Sequence, residues 1–113
     1  MKKEELSKLL HLVCESVSEG ISDEKIMTES ERIVYYAYIE RDEMASGENY
    51  YNIATYQIDI WSDIPNCDTY KKLREKLRGI GLHPTFYHEF VTEDPVYKRK
   101  WHTYFSMDVT EDE

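Results

Sequence analysis

Residues 54–61 alternate without a break. Ala54, Tyr56, Ile58 and Ile60 stand in one register; Thr55, Gln57, Asp59 and Trp61 stand in the other. A period of two sends successive side chains to opposite faces of a strand, so this run specifies a sheet with one apolar face. The pattern returns near the end of the chain, where Trp101, Thr103, Phe105, Met107 and Val109 alternate with His102, Tyr104, Ser106 and Asp108. A third run, Ile33-Val34-Tyr35-Tyr36-Ala37-Tyr38-Ile39, is β-branched and aromatic on both faces. A sheet made of these strands turns one face to a core. Its other face carries Tyr36, Tyr38, Gln57, Asp59, Trp61, His102 and Tyr104.

Two stretches have the helical period instead. Leu6, Leu9, Leu10, Val13 and Val17 form one stripe, which predicts a helix over residues 3–19 closed by Gly20 in a left-handed cap. Tyr70, Leu73, Leu77 and Ile80 form a second stripe and predict a helix over 66–79. Asn66 or Asp68 is its expected N-cap, and Gly79 or Gly81 its closing residue. Hairpins are expected over 32–62 and 82–109, the first with an exposed loop at Arg41–Asn49, and a frayed acidic tail over 110–113. Residues 21–31 read as a polar connection. The expected fold is α+β in the order α-β-β-α-β-β. An antiparallel sheet of four strands, or slightly more, carries both helices on one face. At 113 residues the chain makes one domain, 1–113.

Charge limits the partners. There are 23 acidic and 14 basic residues, a net charge of −9. Neutralising phosphates requires the opposite balance, so specific nucleic-acid binding and attachment to anionic membranes are not expected. The chain is also two-ended. Residues 1–66 hold 14 acids against six bases, whereas Lys71, Lys72, Arg74, Lys76 and Arg78 crowd the second helix and Lys98, Arg99 and Lys100 follow. No run approaches the ~20 apolar residues of a membrane span. Cys14 and Cys67 lack the spacing of a disulfide or metal framework, so a reduced, cytoplasmic setting is expected.

Catalytic patterns are missing from the sequence. His83 and His88 have opposite parity, so on one regular strand they cannot share a metal, and the four histidines read as scattered. Cys67 lies near a helix start, where the dipole lowers a thiol pKa, but no base or orienting group can be assigned to it. Glu40, Asp42, Glu43 and Glu48 gather around the first hairpin loop without the ligand spacing of a calcium loop, and read as solvated charge. No enzyme activity, cofactor or metal is expected. The aromatic sheet face is the strongest feature. Several tyrosines with a tryptophan favour a protein interface over an idle surface.

The sequence resembles the tail terminator (tail-completion) proteins of long-tailed bacteriophages and prophages. The resemblance rests on Ile33-Val34-Tyr35-Tyr36, on Tyr56-Gln57-Ile58-Asp59-Ile60-Trp61-Ser62 and on the helix Tyr70–Arg78 followed by Gly79-Ile80-Gly81-Leu82. It ends with the acidic turn Glu93-Asp94 and a closing strand bearing Trp101, Tyr104 and Phe105. It spans roughly residues 3–109. It implies a ring, of six copies in such proteins, that caps the tail tube, ends its polymerisation and offers the head a joining surface. The implied partners are further copies of the chain, the tail tube protein and the head-completion protein. The implied locations are the bacterial host cytoplasm during assembly and the tail–neck junction of the virion.

Ring closure needs two different, complementary patches on each subunit. Candidate interface residues are Tyr36, Tyr38, Gln57, Trp61 and Tyr104 on the sheet; Lys72, Lys76 and Arg78 on the second helix; and Asp42, Glu43 and Glu48 at the hairpin. Two alternatives remain open: another phage neck or head–tail connector protein, and a small acidic monomeric binding protein of antitoxin or immunity type.

Overall fold

A computed structural model describes residues 1–20, 31–45, 49–94 and 98–111. The elements are α1 (Lys3–Val13), β1 (Val17–Glu19), β2 (Glu31–Ala45), β3 (Asn49–Ser62), α2 (Asp68–Gly79), β4 (Tyr87–Asp94) and β5 (Lys98–Glu111). The five strands form one sheet in the order β1-β2-β3-β5-β4. Every neighbouring pair is antiparallel except β1–β2, which is parallel. The architecture is therefore α+β as expected, but the sheet is mixed and has five strands.

The fifth strand replaces the end of the predicted first helix. α1 stops at Val13 and Cys14 is extended, so the helix does not reach residue 19. Val17 continues the helical stripe, yet Ser16, Val17 and Ser18 are poor helix formers next to an open strand edge. Ile33 donates its backbone N–H to Ser16 at 2.8 Å, Gly20 donates to Tyr35 at 2.9 Å, and Val17 pairs with Ile33. Val17 packs against the core in this strand, as it would have done in a helix, which is why periodicity alone did not separate the two. Gly20 does take a left-handed φ of 89°, but after β1 and not as a helix cap.

Leu6, Leu10 and Val13 of α1 and Tyr70, Leu73 and Leu77 of α2 meet Ile33, Tyr35, Ala54, Tyr56, Ile58, Ile60, Phe105 and Val109 of the sheet in one buried cluster. Both helices thus cover a single sheet face. Each fully buried leucine, isoleucine or phenylalanine contributes about 1.5–3 kcal/mol of transfer free energy, which fixes the register of all three long strands.

α2 starts at Asp68 rather than 66, with Cys67 as N-cap; the Cys67 side chain makes no capping bond. The cap comes from another element. Glu31, the first residue of β2, accepts the backbone N–H of Thr69 through Oε1 at 3.0 Å. At the other end Gly81 takes a φ of 82°, Leu82 N–H bonds Leu77 C=O at 2.9 Å and Gly81 N–H bonds Arg78 C=O at 3.0 Å. This is a Schellman closure, which needs the left-handed residue that glycine supplies.

The last two strands also shift. β4 begins at Tyr87, not 82, since Pro84 lacks a ladder donor and residues 82–86 run irregularly back from the helix. β5 runs over 98–111, so the expected frayed tail at 110–111 is strand, paired as Asn52↔Glu111 and Ile53↔Thr110. Much of the expected loop at 41–49 is likewise strand, with register out to Met44↔Tyr50 and Ala45↔Asn49. Long β2, β3 and β5 draw the molecule out to 55 × 28 × 22 Å. Expectations for most of the 21–31 connection, for Glu48 and for residues 112–113 lie outside the described residues.

Candidate interaction face

The sheet face away from the helices brings together the aromatic and polar residues of the second register. Tyr36 pairs with Gln57, Gln57 with Ser106, and Asp59 with Tyr104, while Trp61 lies between Arg32 and His102 in the ladder. Tyr38 falls where the β2–β3 register slips between Ala37 and Ile39. That bulge leaves Tyr38 half exposed, with its hydroxyl donating to Ser106 Oγ at 3.3 Å across the intervening strand. Tyr36, Tyr38, Gln57, Trp61 and Tyr104 thus share one surface.

A continuous stack of flat groups crosses this face. The Arg32 guanidinium lies over the Trp61 ring at 5.2 Å. Trp61 stacks on His102 at 4.3 Å, His102 on Tyr104 at 4.7 Å, and Tyr104 on Tyr87 at 5.3 Å. Five planar side chains from β2, β3, β5 and β4 therefore form one ridge. Such contacts add roughly 0.5–1.5 kcal/mol per pair beyond area burial.

His102 sits inside the ridge, buried to 9% exposure, and is held at both nitrogens. Nε2 lies 2.6 Å from Asp59 Oδ1, and Nδ1 lies 2.9 Å from Glu89 Oε1. Gln57 also donates to Asp59 Oδ1, at 2.9 Å. Burial works against a charge on this imidazole, but the bonds to Asp59 and Glu89 outweigh it and raise the His102 pKa. When the ring is protonated both nitrogens donate, and neither offers a lone pair to a metal or a substrate proton. It locks β3, β5 and β4 together under the aromatic surface. Burial, reinforced by the Asp59 charge, also pushes the Tyr36 phenol up.

The other predicted interface residues lie elsewhere. Lys72, Lys76 and Arg78 are exposed on α2, on the opposite side of the sheet from the ridge. Lys72 and Lys76 line a groove between the helices with Leu9, Leu12 and Ile80. Asp42 is exposed on the β2 arm and accepts from Asn52 Nδ2 at 3.4 Å; Glu43 is in the same strand, opposite Tyr51. Lys100 is not part of a surface basic cluster: it is buried, and its Nζ bonds Asp63 Oδ1 at 2.8 Å.

Two chemical readings of the sequence are corrected. Cys67 does not carry a lowered pKa: its thiol is 1% exposed, and burial pushes the value up despite the helix N-terminus. His83 and His88 do line one cavity, because residue 83 precedes the strand and parity does not apply to it. No group of three metal-ligating side chains occurs among the described residues. No helix among them is long and apolar enough to cross a membrane.

Sequence reasoning put Asp59 and His102 on this same face but missed their bond, and it missed Arg32, Tyr87 and Glu89. Those pairings depend on the β5–β4 register and on a diagonal across β3 and β5, which alternation does not set. No family model matches the chain, and no curated protein matches it.

Proposed function

We propose that the chain is a structural, non-enzymatic subunit that assembles head-to-tail into a ring closing the tail tube of a long-tailed phage or prophage. The observation that carries the assembly part is a sheet with two unlike edges, open among the described residues, beside an aromatic face on which Tyr38 and Tyr87 are half exposed. At one side β4 is the edge, with Phe90 and Val91 exposed. At the other, among the described residues β1 covers β2 only over Ile33–Tyr35, so beyond Tyr35 β2 is an edge there too. Unpaired edge groups and exposed apolar residues are a liability in a monomer and an asset in an assembly. Unlike edges join heterologously, and heterologous contacts close into rings or run on as filaments.

The tube-capping part rests on the family resemblance, whose best-matched piece is Tyr56–Ser62 of β3 ahead of Tyr70–Arg78 of α2. The acidic hairpin and the basic outer face of α2 supply opposite charges for neighbouring subunits. The test is native mass by light scattering across concentration and salt, with electron microscopy of large species alone and with tail tubes. Closed rings of one fixed copy number that seat on tube ends are expected. A chain that stays monomeric throughout and ignores tube ends would overturn the reading.

A further inference from the structure

A second surface feature is independent of the ridge. Between the C-terminal half of α2 and the 82–88 segment lies a cavity of about 220 Å³, lined by Tyr70, Arg74, Arg78, His83, Phe86 and His88 together with Leu82 and Pro84. None of these is acidic, in a chain of net charge −9. Arg74 and Arg78 are one helical turn apart on α2. Among the described residues neither guanidinium has a hydrogen-bond or ion-pair partner. The nearest acid on the helix, Glu75, borders the adjoining depression with Lys71 and both arginines and makes no ion pair with them. The helix dipole accounts for a cation at Arg78. It does not account for two arginines, without a partner among the described residues, that line one cavity with two histidines and an aromatic wall.

We infer that this cavity is a carboxylate-binding site. Guanidinium forks hold flat oxyanions in two-pronged bonds. Tyr70 meets both Phe86 and His88 edge-on, at 5.1 and 4.9 Å, which fixes the wall, and His88 is further held by Thr103 Oγ1 at 2.9 Å from Nδ1. The volume falls below the roughly 300–1,000 Å³ of pockets for drug-sized ligands, so it takes an acid head with a short apolar arm rather than a nucleotide. The net negative charge of the chain repels a phosphate dianion more than a monoanionic carboxylate. The acid has two sources: a free small carboxylic acid, or an Asp or Glu side chain of a second copy. Only the second source rests on the assembly reading above.

The experiment titrates butyrate, a monoanionic carboxylate with a short apolar arm, into the full chain at constant ionic strength and follows backbone and arginine Nε signals by NMR. Saturating shifts at Arg74 and Arg78 are expected, with affinity about tenfold weaker in R74Q/R78Q. Shifts that never saturate, or equal affinity in R74K/R78K, which keeps the charge without the fork, would overturn the site. Tighter binding of inorganic phosphate would overturn the carboxylate assignment. Sedimentation with saturating butyrate then separates the sources. Release of subunits assigns the acid to a second copy, whereas saturable binding with unchanged association, or to a monomer, assigns it to a free acid.

Discussion

Asp59 Oδ1 and His102 Nε2 meet at 2.6 Å along a diagonal of the β3–β5 ladder, two residues out of register, with the His102 ring stacked between Trp61 and Tyr104. Both partners are buried, so the pair behaves differently from a surface ion pair. Removing the imidazole leaves Asp59 buried with Gln57 as its remaining side-chain donor among the described residues. His102→Phe, which keeps the stack, is expected to cost about 2–4 kcal/mol in denaturant unfolding at mildly acid pH. A loss below a few tenths would show that stacking alone holds the ridge.

The same pair gives a pH dependence with a definite sign. The folded pKa of His102 is raised above its unfolded value, which is about 6.5. Its stabilising contribution is therefore fully present below that unfolded value and disappears as pH rises through the raised folded value. The difference in unfolding free energy between wild type and H102F should shrink from slightly acid to alkaline pH. A difference that grows with pH would contradict the charged, doubly bonded imidazole.

Tyr38 and Tyr87 are half exposed at opposite ends of the aromatic face. Their rings are available to a partner and contribute little to the subunit alone: Tyr38 has one long hydroxyl contact, and Tyr87 one stack on Tyr104. Y38A/Y87A should lower subunit stability by no more than about 1–2 kcal/mol. It should weaken self-association at least tenfold in sedimentation velocity. Unchanged association would remove the ridge from the interface.

Val91 marks the β4 edge, at the register slip between Phe90 and Thr92, and is exposed. A charge there costs the isolated fold within about 0.5 kcal/mol but blocks strand addition, as edge lysines do in natural sheets. Val91→Lys is expected to leave circular dichroism and melting unchanged while abolishing large species in light scattering. Persistence of those species would place the subunit contact away from this edge.

Local rules carried the reading of the fold as far as the local signal went. The alternation at 54–61 and 101–109 placed Ile58, Ile60, Phe105 and Val109 in the core, because one register of each strand is mainly apolar. The stripe of α2 did the same for Leu73 and Leu77. It failed where two conformations bury the same residue: Val17 reaches the core from a helix or from a parallel edge strand, and only the open edge of β2 decides. The ridge was half legible, since parity puts Trp61, His102 and Tyr104 on one face. Its buried ion pair was not, because a diagonal contact depends on register and twist between distant segments. The cationic cavity is hidden for the opposite reason: strand parity sends His83 and His88 to opposite faces, but β4 starts at Tyr87 and His83 lies outside it.

Glu31 joins β2 to α2 by accepting the Thr69 N–H that the Cys67 side chain leaves uncapped. Burial works against its charge, but hydrogen bonds from the Thr69 N–H, the Cys67 thiol and the Thr69 hydroxyl, with the Lys72 charge, outweigh burial and hold the carboxyl below its ordinary value. Glu31→Ala should cost about 1 kcal/mol at neutral pH. A folded pKa below the unfolded one means that this contribution is present above the unfolded value and is lost as pH falls through the folded one. The cost of E31A should therefore vanish in acid; a cost independent of pH would mean that packing, not the cap, is at stake.

Cys67 and Cys14 offer a direct reading of local against global opening. Cys67 is 1% exposed under α2, and Cys14 is partly buried at the end of α1, where its thiol lies 3.6 Å from the Ser16 carbonyl. Burial raises both thiol pKa values, which suppresses the reactive thiolate in each. The difference between them is access. Fraying of α1 exposes Cys14 without disturbing the sheet, whereas Cys67 needs α2 to lift off Leu6, Leu10 and Phe105, an opening close to complete unfolding. In native protein a disulfide reagent should modify Cys14 first. In C14S, labelling of Cys67 should accelerate with denaturant as steeply as global unfolding does. Rapid labelling of Cys67 in water, faster than that of a free thiol at the same pH, would instead mean an activated cysteine, and with it the catalytic role that its burial argues against.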